Sequence, residues 1–482
     1  MINNFARKIY QQFYVGLKKR ERDALEVSKI KIKRTVDLTE GSIPKKLFLF
    51  ALPLMLGNLL QQFYNIVDTI VVGKYLGENA LAAVGSAYTI MILLTSIIIG
   101  LCMGASVYFS MRFGQKDFAG IRQSFFISFI GILIVAVILN ALAYALLNVL
   151  TSTMNIPEEI RAMFRQYMLV IFAGIFAVFL YNIFSNLLRS VGNSVIPLAF
   201  LAVSAITNVV LDLVFIVLCK WGVVGAAAAT VIAQYVSGIG ITLYYFIFGG
   251  NLRVRKADMK WNRHTFKEMS RLSSMTCIQQ SIMNFGILMV QGLVNSFGTA
   301  VMAAFAAGVK IDTLAYSPVQ DFGNAFSSFV AQNYGAQKKE RVKKGVKTAV
   351  LMVVCFCAVI SVVVCLFANQ LMKIFIDAGN VAVIAIGVKY LRIEGACYIG
   401  IGLLFMFYGY YRAINRPVMS IVLTVISLGV RVALSYILVC FTNIGEISIW
   451  MAIPIGWLLA DITAIIYGLF LNKKETCVEN RI

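Results

Sequence analysis

The sequence is poor in the side chains that most enzymes use for catalysis. Its 482 residues include a single histidine, His264, and its nine cysteines form no CxxC pair. These absences exclude a histidine-based catalytic centre and a zinc site of the usual Cys/His type. HExxH, GxSxG and Walker-type GxxxxGK[ST] motifs are also missing, which argues against a membrane-embedded enzyme and against ATP-driven transport.

Charged residues are scarce as well. They make up 13% of the chain, whereas 60% is hydrophobic and the mean hydropathy is +0.82. A soluble protein carries about 25% charged residues. The composition therefore predicts an all-α polytopic membrane protein without a sizeable water-soluble domain. The first forty residues contain no apolar run, so no cleaved secretory signal is expected.

Apolar segments dominate what is present. A membrane-spanning helix needs about 20 such residues, and about twelve segments qualify. The predicted spans are 47–73, 80–110, 123–150, 164–188, 197–219, 224–248, 272–297, 302–330, 349–375, 389–411, 417–440 and 449–471.

Acidic residues are half as numerous as basic ones, 22 against 43, giving a net charge of +21. The basic residues concentrate in every second loop, for example at 112–122, 253–271 and 338–347. Loops rich in Lys and Arg stay in the cytoplasm, so we expect a cell-membrane protein with both termini cytoplasmic and no nucleic-acid partner. The basic segment 1–46 is interpreted either as an amphipathic helix on the lipid surface or as a solvated tail.

The chain contains an internal repeat. LGENALAA at 76–83 matches FGTAVMAA at 297–304, and Gly114 matches Gly335, both at an offset of 221 residues. Arg189 matches Arg412 at an offset of 223. We expect two six-helix bundles related by a pseudo-two-fold axis along the membrane normal, with a site near mid-membrane. The predicted divisions are a basic segment 1–46, bundles 47–248 and 272–471, a basic linker 249–271 and a tail 472–482.

Two carboxylates stand inside predicted spans of the first half, Asp68 and Asp212. An acid in a membrane helix is costly, and the default hypothesis for it is an ion or substrate site. Helical spacing places Tyr64 on the face of Asp68, and Asn208 on the face of Asp212. Such oxygens suit Na⁺, and a buried carboxylate pair can also exchange a proton. The sequence leaves both Na⁺ and H⁺ as candidates for the ion that binds there.

The second half has its own charges within spans. Intramembrane charges tend to pair, so Glu394 and Arg431 are interpreted first as a structural ion pair and only second as part of another ion site. Lys310 is expected to form a similar pair with Asp312 or Asp321. Two prolines inside spans, Pro53 and Pro318, indicate kinks that either flex or remain static.

Aromatic, amide and methionine side chains offer candidates for a pocket that binds flat organic cations. The candidates are Gln280, Met283, Tyr181, Phe184, Tyr398 and Phe405.

Four motifs together resemble the multidrug and toxic compound extrusion (MATE) family. They are P-x₇-Q-x₂-Y-x₃-D-x₄-G from Pro53 to Gly73, LGENALAAVG at 76–85, FGQKDF at 113–118 with its echo YGAQKK at 334–339, and N-x₃-D at Asn208 and Asp212. The resemblance covers residues 44–472. It implies a V-shaped pair of bundles that exports amphipathic, often cationic, organic compounds in exchange for Na⁺ or H⁺, without a cofactor and as a monomer in lipid.

The same resemblance implies roles for individual residues. Asp68 corresponds to the coupling acid of the first helix, and Asn208 and Asp212 to its partners on the fifth. Thr230 corresponds to a hydroxyl that completes the ion site. Tyr64 and, more loosely, Asn182 correspond to neighbours of this network.

The chain also departs from the family pattern. Gln279 and Gln280 stand where some branches carry an acid, and Ser274 replaces a proline. These departures favour an ion site in the first half over one in the second. A flippase for a lipid-linked precursor is the alternative function. It would require a large cationic cavity, whereas the inner charges here are few and mixed in sign. A channel would need neither the repeat nor coupling acids.

Overall fold

A computed structural model describes residues 36–153, 156–442 and 445–479. These residues fold into fifteen α-helices. The first eight are α1 (Ile43–Leu76), α2 (Glu78–Gly114), α3 (Phe118–Ala145), α4 (Leu147–Thr153), α5 (Glu158–Ile171), α6 (Ile175–Ser190), α7 (Val195–Asp212) and α8 (Gly222–Phe248). The other seven are α9 (Arg263–Asn295), α10 (Thr299–Gly335), α11 (Lys339–Phe375), α12 (Val381–Gly395), α13 (Tyr398–Ala413), α14 (Pro417–Phe441) and α15 (Ile447–Glu479).

The spans agree in number with the prediction. Within the described ranges, eleven helices are long and apolar enough to cross a membrane, and the count is twelve when α12 and α13, which are bent by 52° relative to each other, are taken together as one span. A 3₁₀ turn at Phe172–Gly174 joins α5 to α6, and a π-helix at Leu213–Leu218 extends α7. Of the predicted basic segment 1–46, residues 1–35 lie outside the described residues.

Several helices are longer than the apolar segments from which they were predicted. The seventh predicted span starts at residue 272, but α9 starts at Arg263, where the Asn262 side chain accepts hydrogen bonds from the first-turn backbone N–H groups of His264 and Thr265. The ninth starts ten residues earlier than predicted, at Lys339. A hydropathy pattern detects only the membrane-buried part of a helix, whereas the helix itself ends where its caps lie.

The internal repeat extends to backbone geometry. Gly77 and Gly298, 221 residues apart, both have φ near 90° (87° and 91°) where α1 turns into α2 and α9 into α10. Lys116 and Gln337, also 221 residues apart, have φ of 60° and 59°. A non-glycine residue with positive φ is uncommon, so its recurrence at the same offset supports an ancestral duplication of the fold.

The helices form two lobes, lobe 1 (α1–α8) and lobe 2 (α9–α15). Helix α2 packs along α9, and α10 packs against α1 and α2. Glycines permit the close approach, since a Cβ at Gly100 would lie 2.6 Å from the Cys277 Cα and one at Gly104 would lie 2.4 Å from the Ser273 Cα. The lobes are therefore in tight backbone contact along α2 and α9.

The lobes are hydrogen-bonded to each other at the end of the molecule that carries the Lys/Arg-rich loops, here called the basic end. The segment 36–41 lies between the lobes there. Val36 N–H donates to the Gly192 carbonyl of lobe 1 at 3.0 Å. Arg341 of lobe 2 donates to the carbonyls of Leu38, Glu40 and Gly41. The structure therefore closes the basic end.

Prolines occur inside three long helices. Pro53 lies in α1 and Pro318 in α10, as predicted, and Pro454 in α15 adds a third. Each removes one backbone donor from a helix interior.

Candidate functional site

Lobe 1 brings its two predicted carboxylates together. Helix α1 packs on α7, and the carboxyl groups of Asp68 and Asp212 interact directly with each other. Asp212 is fully buried and is the last residue of α7, immediately before the π-helix Leu213–Leu218. π-Helical turns often mark functional sites, because the extra residue per turn shifts the side chains out of regular register.

The carboxylate pair lacks hydrogen-bond donors. Both carboxylate oxygens of Asp212, Oδ1 of Asp68 and Oδ1 of Asn208 are buried and have no hydrogen-bond partner among the described residues. Leaving one such group unsatisfied costs about 1–3 kcal/mol, and more when it is charged. Four unsatisfied oxygens on two neighbouring helices form a site that fits a proton or a small hard cation.

Asn208 and Thr230 add further polar groups beside the carboxylates of Asp68 and Asp212. The Asn208 Nδ2 donates to the Thr230 Oγ1 at 3.3 Å, which joins α7 to α8. Because its amide hydrogen is used in this way, Asn208 presents its oxygen as an acceptor. We call Asp68, Asn208, Asp212 and Thr230 the acidic cluster.

Tyrosines surround the acidic cluster. Tyr64 lies within the electrostatic range of Asp68 and contacts Gln61. Tyr167 of α5 is buried and lies near both carboxylates, a position that the sequence analysis missed. The only available signal was a polar side chain on an otherwise apolar helix face.

The predicted network neighbour Asn182 and the predicted pocket residue Tyr181 both donate to backbone carbonyls. The Asn182 amide donates to the Val178 carbonyl of its own helix at 2.9 Å. The Tyr181 hydroxyl donates to the Pro197 carbonyl at 3.1 Å.

Lobe 2 contains a second buried carboxylate pair. Asp312 of α10 and Glu394 of α12 lie side by side. The Tyr390 hydroxyl donates to Asp312 Oδ2 at 2.5 Å, and the Tyr398 hydroxyl donates to Asp312 Oδ1. Asp312 therefore has a donor on each carboxylate oxygen.

The predicted pair of Glu394 and Arg431 is electrostatic and not a direct contact. Arg431 lies within electrostatic range of Glu394, but Glu394 Oε1 and Arg431 Nε have no hydrogen-bond partner among the described residues, and the Glu394 carboxyl interacts directly with that of Asp312. The Arg431 guanidinium lies instead 5.8 Å from the centre of the Trp457 ring. Sequence separation placed the two residues at one depth but could not orient α12 and α14 about their axes.

The predicted pairing of Lys310 is also wrong. Lys310 lies 5.9 Å from the ring centre of Phe375. Asp312 is bound by tyrosines, and Asp321 lies beside Asn58 and Asn324. Residues two apart on a helix point to different faces, which explains why Lys310 and Asp312 do not meet.

A small polar cavity lies between the lobes, here called the inter-lobe cavity. Three predicted pocket residues, Gln280, Met283 and Phe405, line it. Its other lining residues are Met103, Gln279, Gln320, Asn324, Tyr408 and Arg412. Phe184 packs instead in an aromatic cluster of lobe 1, 5.0 Å from Tyr245, and Tyr398 is buried on Asp312.

A larger cavity of about 430 Å³ lies at the basic end, between the α2–α3 turn and the linker. Its charged groups are already paired: Arg112 with Asp117 at 3.2 Å, and Arg122 with Asp258 at 2.6 Å. The hydrogen bond from Arg122 lowers the pKa of Asp258. Neither carboxylate pair lines this cavity.

Comparison with known proteins adds independent information. The MatE family profile matches residues 53–214 and 274–437. The chain is 28% identical over 438 residues to the probable multidrug resistance protein YpnP of Bacillus subtilis, covering 90% of this chain and 96% of that protein. It is 25% identical to the probable multidrug resistance protein NorM of Thermotoga maritima, covering 87% and 90%.

The fold also matches solved structures. A MOP superfamily transporter from Pyrococcus furiosus superposes with a TM-score of 0.86 at 24% identity, over 91% of this chain and 97% of that one. At this identity the similarity establishes the two-lobe fold alone.

Proposed function

The chain belongs to the MATE family of multi-pass membrane transporters, and on that premise we propose that it is a cation-coupled antiporter that exports amphipathic organic compounds. Entry of Na⁺ or H⁺ drives the export by alternating access. The basic end faces the cytoplasm, and the membrane is the cell membrane. Two bundles, 47–248 and 272–471, move relative to each other about the linker 249–271.

One observation carries this proposal. The acidic cluster holds four buried oxygens without hydrogen-bond donors. A bound cation or proton satisfies these oxygens and removes the repulsion between the carboxylates of Asp68 and Asp212. Loading and unloading therefore change the energy of the α1–α7 contact, which is what a coupling site must do.

The α1 helix connects this site to the lobe interface. Helix α1 carries Asp68, contains Pro53 and packs on both α7 and α10. The segment 36–41 that precedes it is held by Arg341 at the closed basic end. If α1 shifts when an ion binds to the acidic cluster, the shift is transmitted to the contacts between Arg341 and the segment 36–41. These contacts must break before the basic end can open.

The flippase alternative finds less support. It requires a large, positively charged central cavity, but the inter-lobe cavity is small and lined mainly by amide, methionine and aromatic side chains. We therefore retain export of organic compounds as the function.

The test is transport by the purified full chain in proteoliposomes, with an imposed Na⁺ gradient and an imposed pH gradient applied separately. We expect one of the two gradients to drive movement of an aromatic cation such as 2-naphthylmethylammonium, and Asp68→Asn to abolish that movement. Equal movement with and without either gradient would contradict cation coupling.

A further inference from the structure

Arg412 is a buried cation at the lobe interface. It is 4% exposed, and it lies at the end of α13, one residue before Ala413. The sequence places it at the repeat position of Arg189, which ends α6 in lobe 1. The two arginines therefore occupy equivalent positions in the two halves of the repeat.

The guanidinium of Arg412 has no carboxylate partner among the described residues. Its Nη2 donates to the Asn324 Oδ1 at 3.1 Å, and its Nε has no hydrogen-bond partner. Arginine stays charged in proteins, and a buried charge is normally paired or coordinated. Arg412 thus violates this rule at a place where a cavity adjoins it.

The contrast with Arg189 explains how the unpaired state arises. Arg189 lies within electrostatic range of the Asp321 carboxylate. In the repeat, Asp321 corresponds to Gly100, because the two positions are 221 residues apart. An acid at residue 100 would be the symmetric partner for Arg412, but a Cβ there would lie 2.6 Å from the Cys277 Cα. The tight α2–α9 contact therefore excludes the carboxylate that the repeat would otherwise supply.

The cavity beside Arg412 has both polar and apolar lining residues. Gln279, Gln280 and Gln320 line it with side-chain amides, and Met283 and Phe405 provide the apolar wall. Gln279 is 2% exposed, and its Oε1 has no partner. Rotation of that amide presents its NH₂ group as a further donor.

The cavity measures about 20 Å³ in this closed-basic-end conformation. One water-sized group needs about 10–15 Å³ on this measure. The space therefore suits a single small group next to the guanidinium, not a whole organic molecule.

We propose that Arg412 and the surrounding amides bind an anionic group at the lobe interface. The group belongs either to a free inorganic anion such as chloride or to a transported aromatic compound that carries a carboxylate. In the second case the inference rests on the proposed export function, and it extends the substrates to aromatic anions and zwitterions whose anionic group occupies this space.

Binding is measured on the purified full chain in detergent at pH 7, with gluconate replacing chloride. The ligands are 2-naphthoate, its neutral amide and sodium chloride, and the readout is the unfolding temperature as a function of ligand concentration. We expect 2-naphthoate to raise the unfolding temperature, the amide to have no effect, and chloride to reduce the apparent affinity for 2-naphthoate.

Three variants locate the effect. Asn324→Asp is nearly isosteric and gives Arg412 an internal carboxylate where Asn324 Oδ1 now accepts, so the affinity for the anion should fall at least tenfold. Because Asp321 lies beside Asn324, size-exclusion chromatography checks that this variant is folded. Arg412→Gln should give the same loss. Arg416→Gln removes an exposed charge four residues away and should leave binding unchanged.

Each outcome decides the inference. Chloride stabilisation that depends on Arg412, without an effect of 2-naphthoate, assigns the site to a free anion. An effect of both ligands in competition assigns it to the compound's own anionic group. No stabilisation by either anion, or equal stabilisation in Asn324→Asp, overturns the site.

The transport arm separates this inference from the proposed function. If the wild type moves 2-naphthylmethylammonium under an ion gradient but neither binds nor moves 2-naphthoate, the export function stands and the anion site is wrong. If the wild type moves no compound, the export function fails, and the detergent titration still tests the anion site.

Discussion

The two lobes each bury a pair of carboxylates, but they surround the pairs differently. In lobe 1, Asp212 has no donor on either oxygen within the part of the chain that the structure describes. In lobe 2, Asp312 accepts a tyrosine hydroxyl on each oxygen. Burial alone therefore does not identify an exchange site; the presence or absence of fixed donors does.

The two carboxylate pairs do not occupy equivalent positions in the internal repeat. The lobe 2 counterparts of Asp68 and Asp212 at offsets 221 and 223 are Met289 and Ser435. The duplication thus retained backbone turns, such as those at Gly77 and Gly298, while the buried chemistry diverged. The two lobes share a fold, but the carboxylates of the acidic cluster in lobe 1 lack fixed donors, whereas Asp312 in lobe 2 accepts two tyrosine hydroxyls.

The largest expected effect comes from neutralising the first pair. Asp68→Asn should reduce gradient-driven efflux of an aromatic cation at least tenfold, to the level of the empty vector, because a coupling carboxylate is lost. Cellular accumulation of the compound is the measurement, with membrane protein quantified in parallel. Asp377→Asn, a change near the end of α11 opposite the basic end, is the control, and undiminished efflux in Asp68→Asn would remove Asp68 from the mechanism.

Stability should change in opposite directions in the two lobes. Tyr398→Phe removes one donor from buried Asp312 and should destabilise the protein by about 1–3 kcal/mol. Asp212→Asn removes an unsatisfied charge and should leave stability equal or higher. The measurement is thermal unfolding in detergent, and a loss of stability in both variants would mean that the two pairs are equivalent.

A smaller effect on transport distinguishes Glu394. If the lobe 2 pair is structural, Glu394→Gln should retain efflux to within about twofold per folded protein, while reducing the folded yield, as expected for a change in a buried polar group. Size-exclusion profiles give the folded fraction, and efflux is normalised to it. Loss of efflux in fully folded protein would instead assign an ion site to lobe 2.

The smallest expected effect concerns the ion pair of Arg122 and Asp258 outside the membrane. Its contribution to stability is a reference for that of the buried carboxylate pairs. Because Arg122 lowers the pKa of Asp258, the folded state binds fewer protons there than the unfolded state. The pair therefore stabilises the protein above the unfolded pKa of about 3.9 and loses its effect as the pH falls through the folded value.

Asp258→Asn should thus lower the unfolding temperature by about 1 °C at pH 7 and by less at pH 3. Unfolding scans of wild type and variant at the two pH values give the comparison. A difference that grows on acidification would contradict the assigned direction.

Much of the architecture was predictable from local patterns. Apolar runs revealed the twelve spans, and the alternation of basic loops gave their relative direction. The offset of 221 residues between the LGENALAA and FGTAVMAA segments predicted the two bundles. The cluster residues Asp68 and Asp212 stood out because an acid is rare within an apolar helix.

Partners were not predictable to the same extent. Glu394 was expected beside Arg431 but faces Asp312, and Lys310 was expected beside an acid but lies near Phe375. Depth along a helix follows from residue counting at 1.5 Å per residue, whereas rotation about the helix axis depends on how neighbouring side chains pack.

The sequence by itself therefore determined the class of protein, the number of spans, the duplication and the location of rare charges, because each of these follows from composition and spacing along one chain. Only the tertiary structure decided which charges meet. It left Asp212 without donors among the described residues, saturated Asp312 with tyrosines and isolated Arg412, because these environments are built from helices far apart in the sequence, whose contacts no local pattern encodes.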